Sequence, residues 1–77
     1  WTRETLAMAP NPATDHLRYD GQDMRTVQVH SADGRLIETH TNTTLNGNLP
    51  VAHLPAGAYV LRAFGRDVVR EGLFIKD

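Results

Sequence analysis

The stretch Leu54-Pro55-Ala56-Gly57-Ala58-Tyr59-Val60-Leu61-Arg62-Ala63-Phe64 decides how this chain folds, because a turn there runs straight into the most β-prone segment. Pro55 presets φ near about -65° and lacks an N–H, and Gly57 accepts a positive φ, so the backbone can reverse and then extend. Beyond the turn, Tyr59, Leu61 and Ala63 alternate with Val60, Arg62 and Phe64, the period of a strand with one face on a core. Arg62 makes its own face the one to leave in water, so the Tyr59 face is expected to be buried.

Upstream of that stretch, Leu49, Val51 and His53 alternate with Pro50 and Ala52, and an edge strand is expected because Pro50 cannot donate to a ladder. Downstream, Phe64-Gly65-Arg66-Asp67-Val68 reads as a hairpin turn and Val69 to Lys76 as the closing strand. Placing Leu73 and Ile75 inward with Val69 gives Glu71 the same parity, and the neighbouring Gly72 then suggests a bulge. The same placement sends Arg70, Phe74 and Lys76 outward.

The clearest hairpin joins Arg25–Ser31 to Arg35–His40 through Ala32-Asp33-Gly34. A three-residue loop, with a type I turn at Ala32 and Asp33 and Gly34 left-handed, sets Val29 opposite Ile37. That register makes Val27, Val29 and Ile37 core and sends Gln28, His30, Leu36, Glu38 and His40 outward. Near the start, residues 1–5 are expected to be a linker from a preceding domain, entering a weak strand within Thr2–Ala9. Pro10-Asn11-Pro12 reads as a stiff corner, His16–Tyr19 as a strand and Asp20-Gly21-Gln22-Asp23 as a turn. The polar run Thr41–Gly47 reads as a solvated connection. About seven short strands without helical periodicity point to an all-β fold, a small antiparallel β-sandwich.

A chain of 77 residues is expected to be a single domain, 1–77. At that size only about 60–65% of the unfolded surface can be buried. No cysteine is present, which excludes a disulfide scaffold and a zinc-thiolate site. Eight Lys plus Arg against nine Asp plus Glu, well scattered, give no electrostatic case for nucleic acid. No apolar run approaches the roughly 20 residues of a membrane helix, so a soluble domain is expected. The start at Trp1, without Met or a hydrophobic leader, suggests the tail of a longer protein.

Candidate chemistry is sparse. His16, His30, His40 and His53 invite a metal, but the expected register separates His30 and His40 by roughly 13 Å on one outer face, too far to share an ion. Asp15, Asp20 and Asp23 near Gly21 miss the spacing of a calcium loop and suit turns instead. Ser31 is the lone serine and sits at a hairpin shoulder, which gives nucleophilic catalysis little support. No metal and no cofactor are expected, and no enzyme.

Four motifs occur here in one order: Leu6 to Pro12 with Ala13-Thr14-Asp15, Ala32-Asp33-Gly34-Arg35-Leu36-Ile37, Leu54-Pro55-Ala56-Gly57-Ala58-Tyr59-Val60-Leu61-Arg62, and Leu73-Phe74-Ile75-Lys76. Together they resemble the C-terminal sorting domain of type IX secretion system substrates (the Por secretion system, type A). The resemblance implies an immunoglobulin-like sandwich of seven strands acting as an export address. It further implies passage through the periplasm to the outer membrane and cell surface. The implied partners are the outer-membrane type IX translocon and its shuttle or sortase components, with removal by a sortase-like peptidase and attachment of the cargo to lipopolysaccharide. Carried over, the motif positions are Pro10, Asn11, Pro12, Gly34, Arg35, Gly57, Tyr59 and Lys76.

An address shared by many cargoes needs an exposed, cargo-independent feature, and an edge or terminal strand can add to another sheet through its main chain. Val69–Lys76 is the expected candidate, read on an outward face of Arg70, Phe74 and Lys76. Pairing of two copies into a homodimer through edge strands is a further expectation. The alternative is a non-catalytic carbohydrate-binding or spacer module, against which the few aromatics, mostly assigned to the core or the ends, already weigh.

Overall fold

The computed structural model describes residues 2–41, 45 and 47–77. Eight strands are seen among them: β1 (Thr2–Thr5), β2 (Met8–Ala9), β3 (His16–Tyr19), β4 (Met24–Ser31), β5 (Leu36–Thr41), β6 (Asn48–Pro50), β7 (Gly57–Gly65) and β8 (Val68–Lys76). They form a five-stranded sheet in the order β1-β8-β7-β4-β5 and a three-stranded sheet in the order β2-β3-β6. Most of the expected connection 41–47 lies outside the described residues.

The fold is the expected all-β sandwich, with the core between the sheets. From the large sheet come Val27, Val29, Tyr59, Leu61, Ala63 and Phe74, and from the small sheet Leu17, Tyr19 and Leu49. Alternation on β7 is as expected, with Tyr59, Leu61 and Ala63 buried. The Tyr59 hydroxyl donates to the Pro55 carbonyl at 2.6 Å, closing the turn that launches the strand. Gly57 enters that strand at a φ of 156°, open to glycine.

Three sequence expectations are corrected. The first concerns β8, whose partner residues follow from the two-residue loop Arg66-Asp67: Phe64 pairs with Val69, Arg62 with Glu71, Val60 with Leu73 and Tyr59 with Phe74. Opposite residues in an antiparallel ladder share a face, so Phe74 lies inward with Tyr59 while Val69, Glu71, Leu73 and Ile75 all point outward. Phe74 is fully buried and stacks on Tyr59 with ring centroids 5.4 Å apart. Glu71 needs no bulge, because it pairs across the strand with Arg62 at 2.8 Å. Gly72 serves packing instead: a Cβ there would stand 2.9 Å from the Leu6 carbonyl oxygen and closer still to the Met8 methyl.

The second correction concerns the β4–β5 hairpin. Its loop is the expected one, with Gly34 N–H donating to Ser31 O at 2.9 Å, Ser31 N–H to Arg35 O at 2.8 Å, and Gly34 at φ 93°. Immediately beyond, the register shifts: His30 pairs with Leu36 but Val29 with Glu38. Ile37 is the extra residue of a bulge and is exposed, not core. Every residue after it changes face, so Glu38 and His40 turn to the side of Val29 and Val27.

The third correction concerns the N-terminal region. Thr2–Thr5, expected as linker, pairs parallel with β8, so the large sheet is mixed rather than wholly antiparallel. The expected single strand over Thr2–Ala9 is split between the two sheets at Leu6 and Ala7. Arg70, placed outward by the sequence reading, sits on the inner parity at one end of the sandwich. There it binds Glu4 at 2.7 Å and the Gln22 carbonyl at 3.3 Å, with Asp20 at 3.7 Å.

Candidate recognition surface

The residues expected to be read gather around β8, though not as expected. Pro10, Asn11 and Pro12 form an exposed corner in which both prolines follow cis peptide bonds. The Asn11 side chain reaches the free side of β8: its amide nitrogen donates to Leu73 O at 3.2 Å, and its carbonyl oxygen accepts from Ile75 N–H at 2.9 Å. Ala13 continues along the same side, donating to Ile75 O at 2.8 Å and accepting from Asp77 N–H at 2.9 Å. It forms a parallel bridge with Lys76, whose ammonium lies 3.1 Å from the Asp77 carbonyl oxygen. The motif at one end of the chain is thus bonded to the motif at the other.

Gly34 and Arg35 stand apart at the tip of the β4–β5 hairpin. There the Ser31 hydroxyl donates to Asp33, and the Arg35 N–H donates to Asp33 Oδ1 at 3.3 Å. Those bonds hold the Asp33 carboxyl below the usual carboxylate range, the Ser31 hydroxyl being the larger cause. Tyr59 is buried and closes the Leu54–Gly57 turn through its bond to the Pro55 carbonyl, and Gly57 opens β7.

The outer face of β8 presents Leu73 and Ile75, 57% and 38% exposed, with Arg62 and Glu71 one rung further. Leu73 begins a row that crosses the sheet through Val60 and His30 to the exposed Leu36. The sequence held the signal for this face. Counting pairs back from Arg66-Asp67 sets Glu71 against Arg62 and thereby turns Leu73 and Ile75 outward.

Glu38 binds two imidazoles, His40 at 2.7 Å and His53 at 2.6 Å, tying β5 to the turn after β6. His30 and His40, expected well apart on one outer face, lie on opposite sides of the sheet, since the bulge turns His40 inward. Among the described residues no group of three His, Cys, Asp or Glu side chains could hold a metal ion. Tyr19, Tyr59 and Phe74 are buried, so these rings offer no platform for a sugar.

Residues 7–71 match the secretion system C-terminal sorting domain, which takes in most of the chain. The chain belongs to this family. Such sorting domains are the C-terminal signal of type IX secretion substrates, which reach the outer membrane and cell surface, and they act through the type IX machinery. No curated protein and no solved structure matches the chain. In the sorting domain the matched region closes within β8, at Glu71, so Leu73 and Ile75 lie just beyond it.

Proposed function

We propose that this sorting domain works as a folded, non-catalytic handle gripped by the outer-membrane type IX translocon and its shuttle or sortase components. In this reading it crosses the periplasm with its cargo. A sortase-like peptidase then separates the two and joins the cargo to lipopolysaccharide.

The observation that carries the reading is the exposed apolar side of β8. Leu73 and Ile75 project from a sheet face that no second layer of the described residues covers, whereas the other face is packed. Exposed large apolar residues grouped at one end of a sheet mark a contact surface. The recognition face therefore consists of Leu73 and Ile75, and Phe74 supports it from beneath; Lys76, expected on the outward face, shares the inner parity of Phe74.

The test is a Leu73→Ser, Ile75→Ser double variant fused to a secreted cargo. Surface display is expected to fall sharply while the circular dichroism spectrum and unfolding midpoint stay near those of the unaltered domain. Display at the unaltered level would refute the reading.

A further inference from the structure

The free side of β8 is covered by three pieces in series where one strand would be expected. β1 and Leu6 cover it as far as Glu71, whose carbonyl accepts from Leu6 N–H at 3.0 Å. The chain then leaves to pair as β2 with β3, and Ala13 returns opposite Lys76. Between them one rung is left over, opposite Phe74. A residue bridged in parallel there would donate its N–H to Leu73 O and accept from Ile75 N–H, just as Ala13 does with Ile75 and Asp77. The Asn11 side chain makes that same pair of bonds. Its primary amide stands where a peptide group belongs.

This cover is thin. Pro10, Asn11 and Pro12 are all exposed, and the Asn11 amide brings no apolar side chain to lie against Leu73 and Ile75 on the outer face. A real strand in that position would supply the same hydrogen bonds and also bury those two residues beside its own side chains.

We propose that the rim of β8 from Leu73 to Asp77 is a receiving site for an extended segment of a partner protein. The segment runs parallel to β8 with apolar residues at alternate positions; it displaces a built-in placeholder, the Asn11 side chain from its rung and Ala13 from its core position, which one of its own apolar residues then fills. Assigning that partner to the export machinery rests on the sorting reading; the receiving site does not.

Two experiments test this. Ala13→Cys with Lys76→Cys can lock the placeholder, since neighbouring strands lie about 4.8 Å apart, within the roughly 4.4–6.8 Å Cα separation of disulfides, and the chain has no other cysteine. Display of a fused cargo is expected to fall at least about tenfold relative to each single-cysteine variant, with an unfolding midpoint at or above theirs. Equal display of locked and single-cysteine domains overturns the proposal. Independently of export, a synthetic peptide of alternating Val and Thr is added to the Asn11→Ala domain. It is expected to slow amide hydrogen exchange at Ile75 and Asp77 and to leave β5 unchanged, and unchanged exchange along β8 overturns the site itself. Failure of the sorting reading would show differently, as display of the cargo with the domain deleted.

Discussion

The two rims of the five-stranded sheet are protected in unlike ways. At the β5 rim, Ile37 is squeezed out as a bulge, and Glu38 with its two histidines is drawn inward across the opening between the sheets. A bulge and inward charge are devices that keep an edge from pairing with another strand. At the β8 rim the ladder stays regular, and its groups are satisfied by a borrowed strand, a side-chain amide and one alanine. One rim is spoiled for strand addition, while the other is kept regular and plugged. On β8, the segment beyond the reach of β1 keeps this regular geometry beside the exposed Leu73 and Ile75.

The comparison can be broken most severely through Phe74, the inward anchor of the β8 rim. Phe74→Ala is expected to cost about 3–5 kcal/mol, enough to leave a domain of this size largely unfolded in a urea titration. A cost below about 1 kcal/mol would mean that β8 is held by something other than its inner face. Asn11→Ala comes next, removing two hydrogen bonds from the plug at about 1 kcal/mol each or less, read as a lower urea midpoint with unchanged slope.

Glu38→Ala tests the other rim. With partly exposed partners it is expected to cost about 1 kcal/mol or less, read as a lower urea midpoint. Deleting Ile37 asks a separate question there, because both flanking pairs, His30–Leu36 and Val29–Glu38, can survive without it. A regular β5 edge should then self-associate with rising concentration in sedimentation experiments, and a monomer at all concentrations would show that the bulge is not what protects this rim.

The smallest effect concerns the hairpin tip. Asp33 is held below its ordinary carboxylate value in the folded chain, so its contribution is present above the unfolded value of about 3.9 and is lost as pH falls through the lowered folded one. The Gly34 and Arg35 amide resonances at the tip are expected to report this as a movement in acid, below the unfolded value. Asp33→Asn should abolish that movement.

Much of this was legible in the residues. Alternation over Tyr59–Ala63, the turn chemistry of Pro55 and Gly57, the Gly34 hairpin and the absence of helical periodicity sufficed for an all-β sandwich, because period and turn preference are local properties of the chain. The motif order sufficed for the family. Parity on β8 was also within reach, since the two-residue loop and the Arg62–Glu71 pair set it, but the apolar character of Leu73 and Ile75 argued for the wrong face. Hydrophobicity alone cannot say which side of a strand meets a second sheet when both sides carry large apolar residues.

Other features belonged to the tertiary structure alone. No local signal announces that Ile37 is extruded, because a bulge answers to the packing of both faces of an edge strand at once. The meeting of Asn11 with Leu73 and Ile75, 62 and 64 residues away, arises only when the chain detours through the small sheet and leaves one rung of the large one unfilled. Side-chain amides and backbone amides offer the same donor and acceptor, so which of them fills a rung is settled by where the backbone has gone.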